Sequence, residues 1–152
     1  MEIIIDINSQ KLKFNDKGIY KEYNVSTAKK GIGQKKNSFQ TPIGKHFIIE
    51  KSGYNAPINT YYINRVAKGL IKENNEQDFI VARVLRLAGK IDGLNLNYDC
   101  DTYKRMIYIH ASHPESDLTN PSSLGCIRMY AKDICELFDL VKIGCEVNIY
   151  EK

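Results

Sequence analysis

No Cys-x-x-Cys pair, no long apolar run, no low-complexity tract and no internal repeat occurs in this chain. Each absence narrows the field. Cys100, Cys126, Cys135 and Cys145 lack both paired spacing and a histidine at zinc-ligand distance, which argues against a metal site. Unspaced thiols in a chain of this size read as reduced, not as a disulfide framework, and suit an intracellular protein. The start, MEIIIDINSQKLKF, has acids at Glu2 and Asp6 but no basic segment, apolar core or small-residue cleavage site. No secretory signal is therefore expected, and the location expected is cytoplasmic, or periplasmic for a mature form already trimmed of a leader. Nor is there a stretch of about 18 apolar residues able to span a membrane. Charge imbalance is also slight: 22 Lys+Arg against 18 Asp+Glu, a formal +4. That suits an anionic substrate or ordinary solubility and gives no reason to expect nucleic acid. The short Gly-Ile-Gly at 31–33 is too little for a phosphate-binding loop, and no cofactor is called for.

What remains is a chain of 152 residues, read as one domain able to bury a core without staples. Residues 2–7, 10–14 and 18–25 read as strands joined by polar turns. A basic loop, KKGIGQKKNSFQTPIG at 29–44, ends in Thr-Pro-x-Gly turn chemistry. KHFIIEK and NTYYINR follow as short strands. DFIVARVLRLAG, at 78–89, fits helix or strand, and its β-branched content favours strand. RMIYIHA alternates, with Ile107 and Ile109 on one side and Met106, Tyr108 and His110 on the other, so His110 is expected at the end of a buried strand. Ile134, Leu137, Phe138 and Val141 recur at helical spacing over 131–142, with Gly144 as the stop, and CEVNIY closes as a strand. The expected fold is mainly β with one C-terminal helix.

The chemistry concentrates in HASHPESDLTNPSSLGCIRM, residues 110–129. A cysteine becomes a nucleophile where a base or positive charge stabilises its thiolate. Gly125 permits close approach of a substrate carbonyl to backbone N–H groups that face a developing oxyanion. On spacing alone, the same residues also fit a buried structural cysteine and a loop histidine bonded to backbone.

His110, twelve residues and then SLGCIRM resemble the signature of the L,D-transpeptidase catalytic domain, the YkuD family: a histidine followed by Ser/Thr-His-Gly-Cys-x-Arg/Asn. VSTAKKGIGQKKNSFQTPIGKHFI is similar to the family's upstream Val-Ser-Thr…Thr-Pro-x-Gly segment, and AKDICELFDLVKIGCEVNIY to its closing helix and strand. DFIVARVLRLAG…DTYKRMIYIH looks like a short subgroup related to cytosolic L,D-carboxypeptidases of murein recycling. The resemblance spans essentially the whole chain and implies a β-sandwich of mixed sheets.

It also implies roles. Cys126 is the nucleophile, His110 the general base, and backbone groups at Gly125 and Cys126 form the oxyanion hole. Ser123 orients the turn or the His110 ring. Arg128 orders the loop or meets a substrate carboxylate, a surface ion pair being the plainer reading. Tyr108, on the face of His110, and His113 are candidate substrate contacts. The family's second histidine is replaced by Leu124, and alanine stands at Ala111 where glycine is commoner. His113 is the candidate substitute, or else an exposed titrating histidine, while His46 reads as strand surface. Lys29, Lys30, Lys35 and Lys36 would attract substrate carboxylates or form a solvated lid. The implied activity is acyl transfer at the L–D bond of peptidoglycan stem tetrapeptides, with D-Ala released, by hydrolysis in murein recycling. Alternatives are transpeptidation to an amine acceptor in cell-wall synthesis, an inactive murein-peptide-binding module, and a nucleic-acid module built on the lysine loop. The sequence does not indicate the oligomeric state.

Overall fold

Period-two alternation sends successive side chains of a strand to opposite faces, and the outcome is visible in a computed structural model that describes residues 1–115 and 117–152. β1 (Glu2–Asp6) buries Ile3 and Ile5, β2 (Lys11–Asp16) buries Leu12 and Phe14, and β3 (Ile19–Asn24) buries Tyr23. β4 (Gly44–Ser52), β5 (Thr60–Ile63), β6 (Val66–Leu70), β7 (Phe79–Gly89), β8 (Tyr108–His113) and β9 (Ile127–Met129) follow. The chain closes with α1 (Ala131–Leu140) and β10 (Glu146–Tyr150). DFIVARVLRLAG is thus a strand, as its β-branched content indicates. Among the described residues the fold is mainly β with one α-helix and a mixed sheet, as expected. β6 went unnoticed in the sequence because all of its residues are exposed, so it carries no burial pattern to read.

The strands run β3-β2-β1-β10-β4-β7-β5-β6, with β8 on the other side of β7 and β9 beyond it. β1–β10 and β8–β9 are parallel and the remaining ladders antiparallel. The sheet curls back on itself. Beyond β3, Ser26 pairs with Arg128 of β9 through reciprocal backbone bonds of 2.9 and 2.8 Å. Ile3, Ile5, Leu12 and Phe14 from one end consequently share a core with Leu85, Ile109, Ile127 and the α1 residues Ile134, Leu137 and Phe138 from the other. That is the sandwich.

A bulge lets β7 serve two partners on one edge. Its register slips between Val81 and Val84, with Ala82 at φ 70°, so Ile80 and Val81 pair with β5 while Val84–Gly89 pair with β4. The freed Ala82 carbonyl accepts bonds from Tyr62 Oη (2.9 Å) and Arg83 Nη1 (2.7 Å). Gly144 does not stop the helix. α1 ends at Leu140, Lys51 Nζ donates to the carbonyls of Phe138 and Val141 at 2.7 Å, and Gly144 shapes the turn into β10. Among the described residues no helix is long and apolar enough to cross a membrane.

Candidate active site

β8 continues to His113, so His110 lies within the strand and not at its end. Ile109 and Ala111 point into the core, which is why the alanine methyl is accepted at Ala111. His110 and Ser112 face the other way and line a cleft of about 150 Å³ with Asp78, Ile80, Ser123, Leu124, Cys126 and Arg128. β9 supplies the last of these by pairing Arg128 with His110 in register. Cys126 immediately precedes β9.

The turn that presents Cys126 is built by the upstream motifs. Ser122 and Ser123 donate their N–H groups to Thr27 O (2.9 and 3.0 Å), and Lys29 N–H donates to Ser123 O (3.0 Å). Thr41, of the Thr-Pro-x-Gly segment, accepts from Ala28 N–H and donates to Gly125 O, both at 2.9 Å, through one fully buried hydroxyl. Ser123 Oγ donates to Cys126 O and accepts from Gly125 N–H (3.1 Å), so Ser123 orients the turn and not the His110 ring. The Gly125 N–H is thereby occupied inside the turn. In this conformation the expected oxyanion donors reduce to the Cys126 N–H. Gly125 suits its place by conformation, since its φ of 129° lies in the left-handed region, and a Cβ there would also press on Ile107 Cδ1 at 3.1 Å.

The Cys126 thiol is half-buried, accepts the Tyr108 N–H at 3.3 Å and faces Met106 O at 3.6 Å. His110 holds Ala111 O at 2.6 Å through Nδ1. A carbonyl only accepts, so Nδ1 carries the proton and Nε2 is the nitrogen able to take another. Among the described residues no hydrogen bond joins the imidazole to the thiol. Burial raises the Cys126 thiol to about 11, against the opposing pull of the Tyr108 N–H, Arg128 and Arg105. Burial, aided by Arg128, lowers His110 to about 4. The resting pair is therefore neutral thiol and neutral imidazole.

Other expected contacts fall elsewhere. Tyr108 is buried against Tyr62 and Val84, and its hydroxyl accepts from Arg65 Nη1 at 2.8 Å. Its side chain is not among those lining the cleft, but its cluster packs against Cys126 and its backbone N–H reaches the sulfur. His113 points to the opposite face of β8, contacts Asn75 O at 2.7 Å and lines a separate cavity, so it does not replace the missing histidine. His46 is not on the strand surface as expected but fully buried between Gly44 O (2.9 Å) and Thr102 Oγ1 (3.0 Å). Leu124 is 69% exposed on the lip of the cleft. The lysine loop is no free lid: Arg105 clasps it at Gly33 O, Ser38 Oγ and Gln40 O, and Lys36 N–H donates to Asp99 O. Arg128 forms an ion pair with Asp78 at 2.8 Å. Asp78 and Ser112 escaped the sequence reading, although alternation from His110 would have placed Ser112 on the same face.

The structure therefore defines a mainly β domain that sets His110 of β8 and Cys126, just before β9, in one cleft. A family model for the L,D-transpeptidase catalytic domain (YkuD) matches residues 1–149, and the chain belongs to that family. Its fold is similar to that of an L,D-transpeptidase from Enterococcus faecium, at TM-score 0.60 and 15% identity over 98% of this chain and 49% of that one. An L,D-transpeptidase from Mycobacterium smegmatis gives TM-score 0.55 and 15% identity over 97% of this chain and 57% of that one. One from Xylanimonas cellulosilytica gives TM-score 0.55 and 18% identity over 97% and 59%. The chain thus spans about half of the Enterococcus structure and under two thirds of the other two. No curated protein matches.

Proposed function

We propose that this domain cleaves the L–D peptide bond of peptidoglycan stem tetrapeptides, with Cys126 as nucleophile and His110 as general base, and releases D-Ala by hydrolysis. The observation that carries the reading is the placing of Cys126 and His110 in one cleft, with the Tyr108 N–H directed at the sulfur. Because both groups rest neutral, His110 Nε2 takes the thiol proton as Sγ attacks the carbonyl of the L-centre residue. The C–S bond forms, and the Cys126 N–H faces the oxyanion. Collapse breaks the C–N bond while the imidazolium returns its proton to the departing D-Ala amine. Water, deprotonated by His110, then hydrolyses the thioester, giving the shortened peptide acid and the free thiol.

An amine acceptor in place of water would give transpeptidation from the same thioester. Hydrolysis is favoured by the four cysteines, all free, which suit a reducing cytoplasm where recycled fragments are met. Incubating the protein with purified tetrapeptide, with and without a second peptide, and weighing the products tests both. Loss of D-Ala in either case is expected. A joined product in the presence of acceptor would assign transpeptidation, and an unchanged tetrapeptide in both would refute the enzyme.

A further inference from the structure

The ion pair between Arg128 and Asp78 lies across the cleft, not beside it. β8 runs between β7 and β9, with Ile80 opposite Ser112 and His110 opposite Arg128. A bond from Arg128 on β9 to Asp78, one residue before β7, therefore crosses the face of β8 that carries His110 and Ser112.

The pairing is incomplete. A guanidinium presents Nε–H and Nη2–H along one edge, a two-pronged donor matched to the two oxygens of a carboxylate. Asp78 Oδ2 takes only Nη2, at 2.8 Å, while Arg128 Nε is buried with no partner. Ser112 Oγ is a second orphan: the residue is 8% exposed, lines the same cleft, and its hydroxyl has no bond. Buried polar atoms are nearly always satisfied, and of the six such orphans among the described residues these two belong to residues that line the one cleft. Asp78 is the loosely held partner, its side chain 56% exposed against 17% for Arg128. Ion pairs of that exposure are weak and exchange readily for another carboxylate.

We propose that Arg128 Nε and Nη2 together with Ser112 Oγ form a carboxylate seat, that Asp78 half-fills it as an internal competitor, and that the terminal carboxylate of the acyl donor enters by displacing Asp78. The identity of the donor rests on the function proposed above; the geometry of the seat does not. Asp78 then acts as a selectivity residue. A free acid reaches both prongs of the guanidinium, whereas an amidated end offers no charge and leaves Asp78 in place.

The test follows the Arg128 Nε–H resonance of the full chain, assigned by its loss in Arg128→Lys, during titration with N-acetyl-D-alanine or its amide. The acid is expected to shift the signal saturably and the amide to leave it unmoved. Asp78→Asn is expected to tighten the acid by about threefold to fivefold, the size of an exposed ion pair, and Ser112→Ala to weaken it. Equal responses to acid and amide, no response to the acid even in Asp78→Asn, or unchanged affinity in that variant would each overturn the seat. Tetrapeptide turnover is a separate readout. An acid-selective seat without turnover counts against the enzyme alone, and equal turnover of acid and amide tetrapeptides counts against the seat alone.

Discussion

At Cys126 burial pushes the thiol up to about 11, and at His110 it pushes the imidazole down to about 4, so activation falls on proton transfer during attack. Cys126→Ala and Cys126→Ser should therefore abolish turnover with the fold retained, while Cys100, Cys135 and Cys145 tolerate single substitution. Activity surviving at Cys126→Ala, with loss at another cysteine, would overturn the assignment. His110→Ala should slow acylation by about 10²-fold or more, the usual range for loss of a general base. His113→Ala, on the far face of β8, should change it less than tenfold, and stopped-flow acylation by a carbapenem reads both. Leu124 tests the departure from the family pattern. The residue is 69% exposed at the lip, while the thiol packs against Tyr62, Val84 and Tyr108 on its buried side. Leu124→His should lower the Cys126 pKa modestly by adding a donor at the lip, as followed by thiol alkylation across pH. An unchanged or higher pKa would show that a histidine here takes no part in thiolate activation.

Among the elements, the nucleophile turn depends on a segment more than eighty positions upstream in the chain, since Thr41 joins Ala28 N–H to Gly125 O through one hydroxyl. Thr41→Val keeps the shape and removes both bonds. With Thr41 fully buried, each orphaned group costs about 1–3 kcal/mol, so thermal unfolding should move down by several degrees. Acylation should fall as well, because the Gly125 peptide sets the position of Cys126. Stability lost with acylation unchanged would mean that the turn holds its geometry without this anchor. The Thr-Pro-x-Gly segment was legible as family resemblance, but its task was not. Turn chemistry is local, whereas the partner of the Thr41 hydroxyl is chosen by how the sheet curls.

For the whole molecule, the buried histidines make stability depend on pH. Burial holds both His46 and His110 down to about 4 in the fold, against roughly 6.5 when unfolded. Between those values the unfolded chain binds more protons than the native one, so stability is full above about pH 6.5 and falls as pH drops toward 4. Each histidine adds a slope of up to about 1.4 kcal/mol per pH unit in that window. Urea unfolding at about pH 7.5, 6 and 4.5 checks this, and His46→Gln should flatten the dependence by removing one contributor. A midpoint independent of pH across the window would refute it.

Strand alternation, the helical spacing of Ile134, Leu137 and Phe138, and the pairing of His110 with Cys126 as candidates were all legible in the sequence. These follow from period and residue type, which are properties of neighbouring positions. The burial of His46 is not legible in its neighbours, because burial of a polar side chain is decided by what folds over it, here Thr102 from a distant loop. His113 and Tyr108 lie near His110 in the chain, yet their side chains serve other neighbours because strand faces and packing, not proximity in sequence, assign them. Asp78 carries no local signal at all. Only the order of β7, β8 and β9 brings its carboxylate to Arg128, because long side chains on one face of a sheet can reach over the strand between them whatever their separation along the chain.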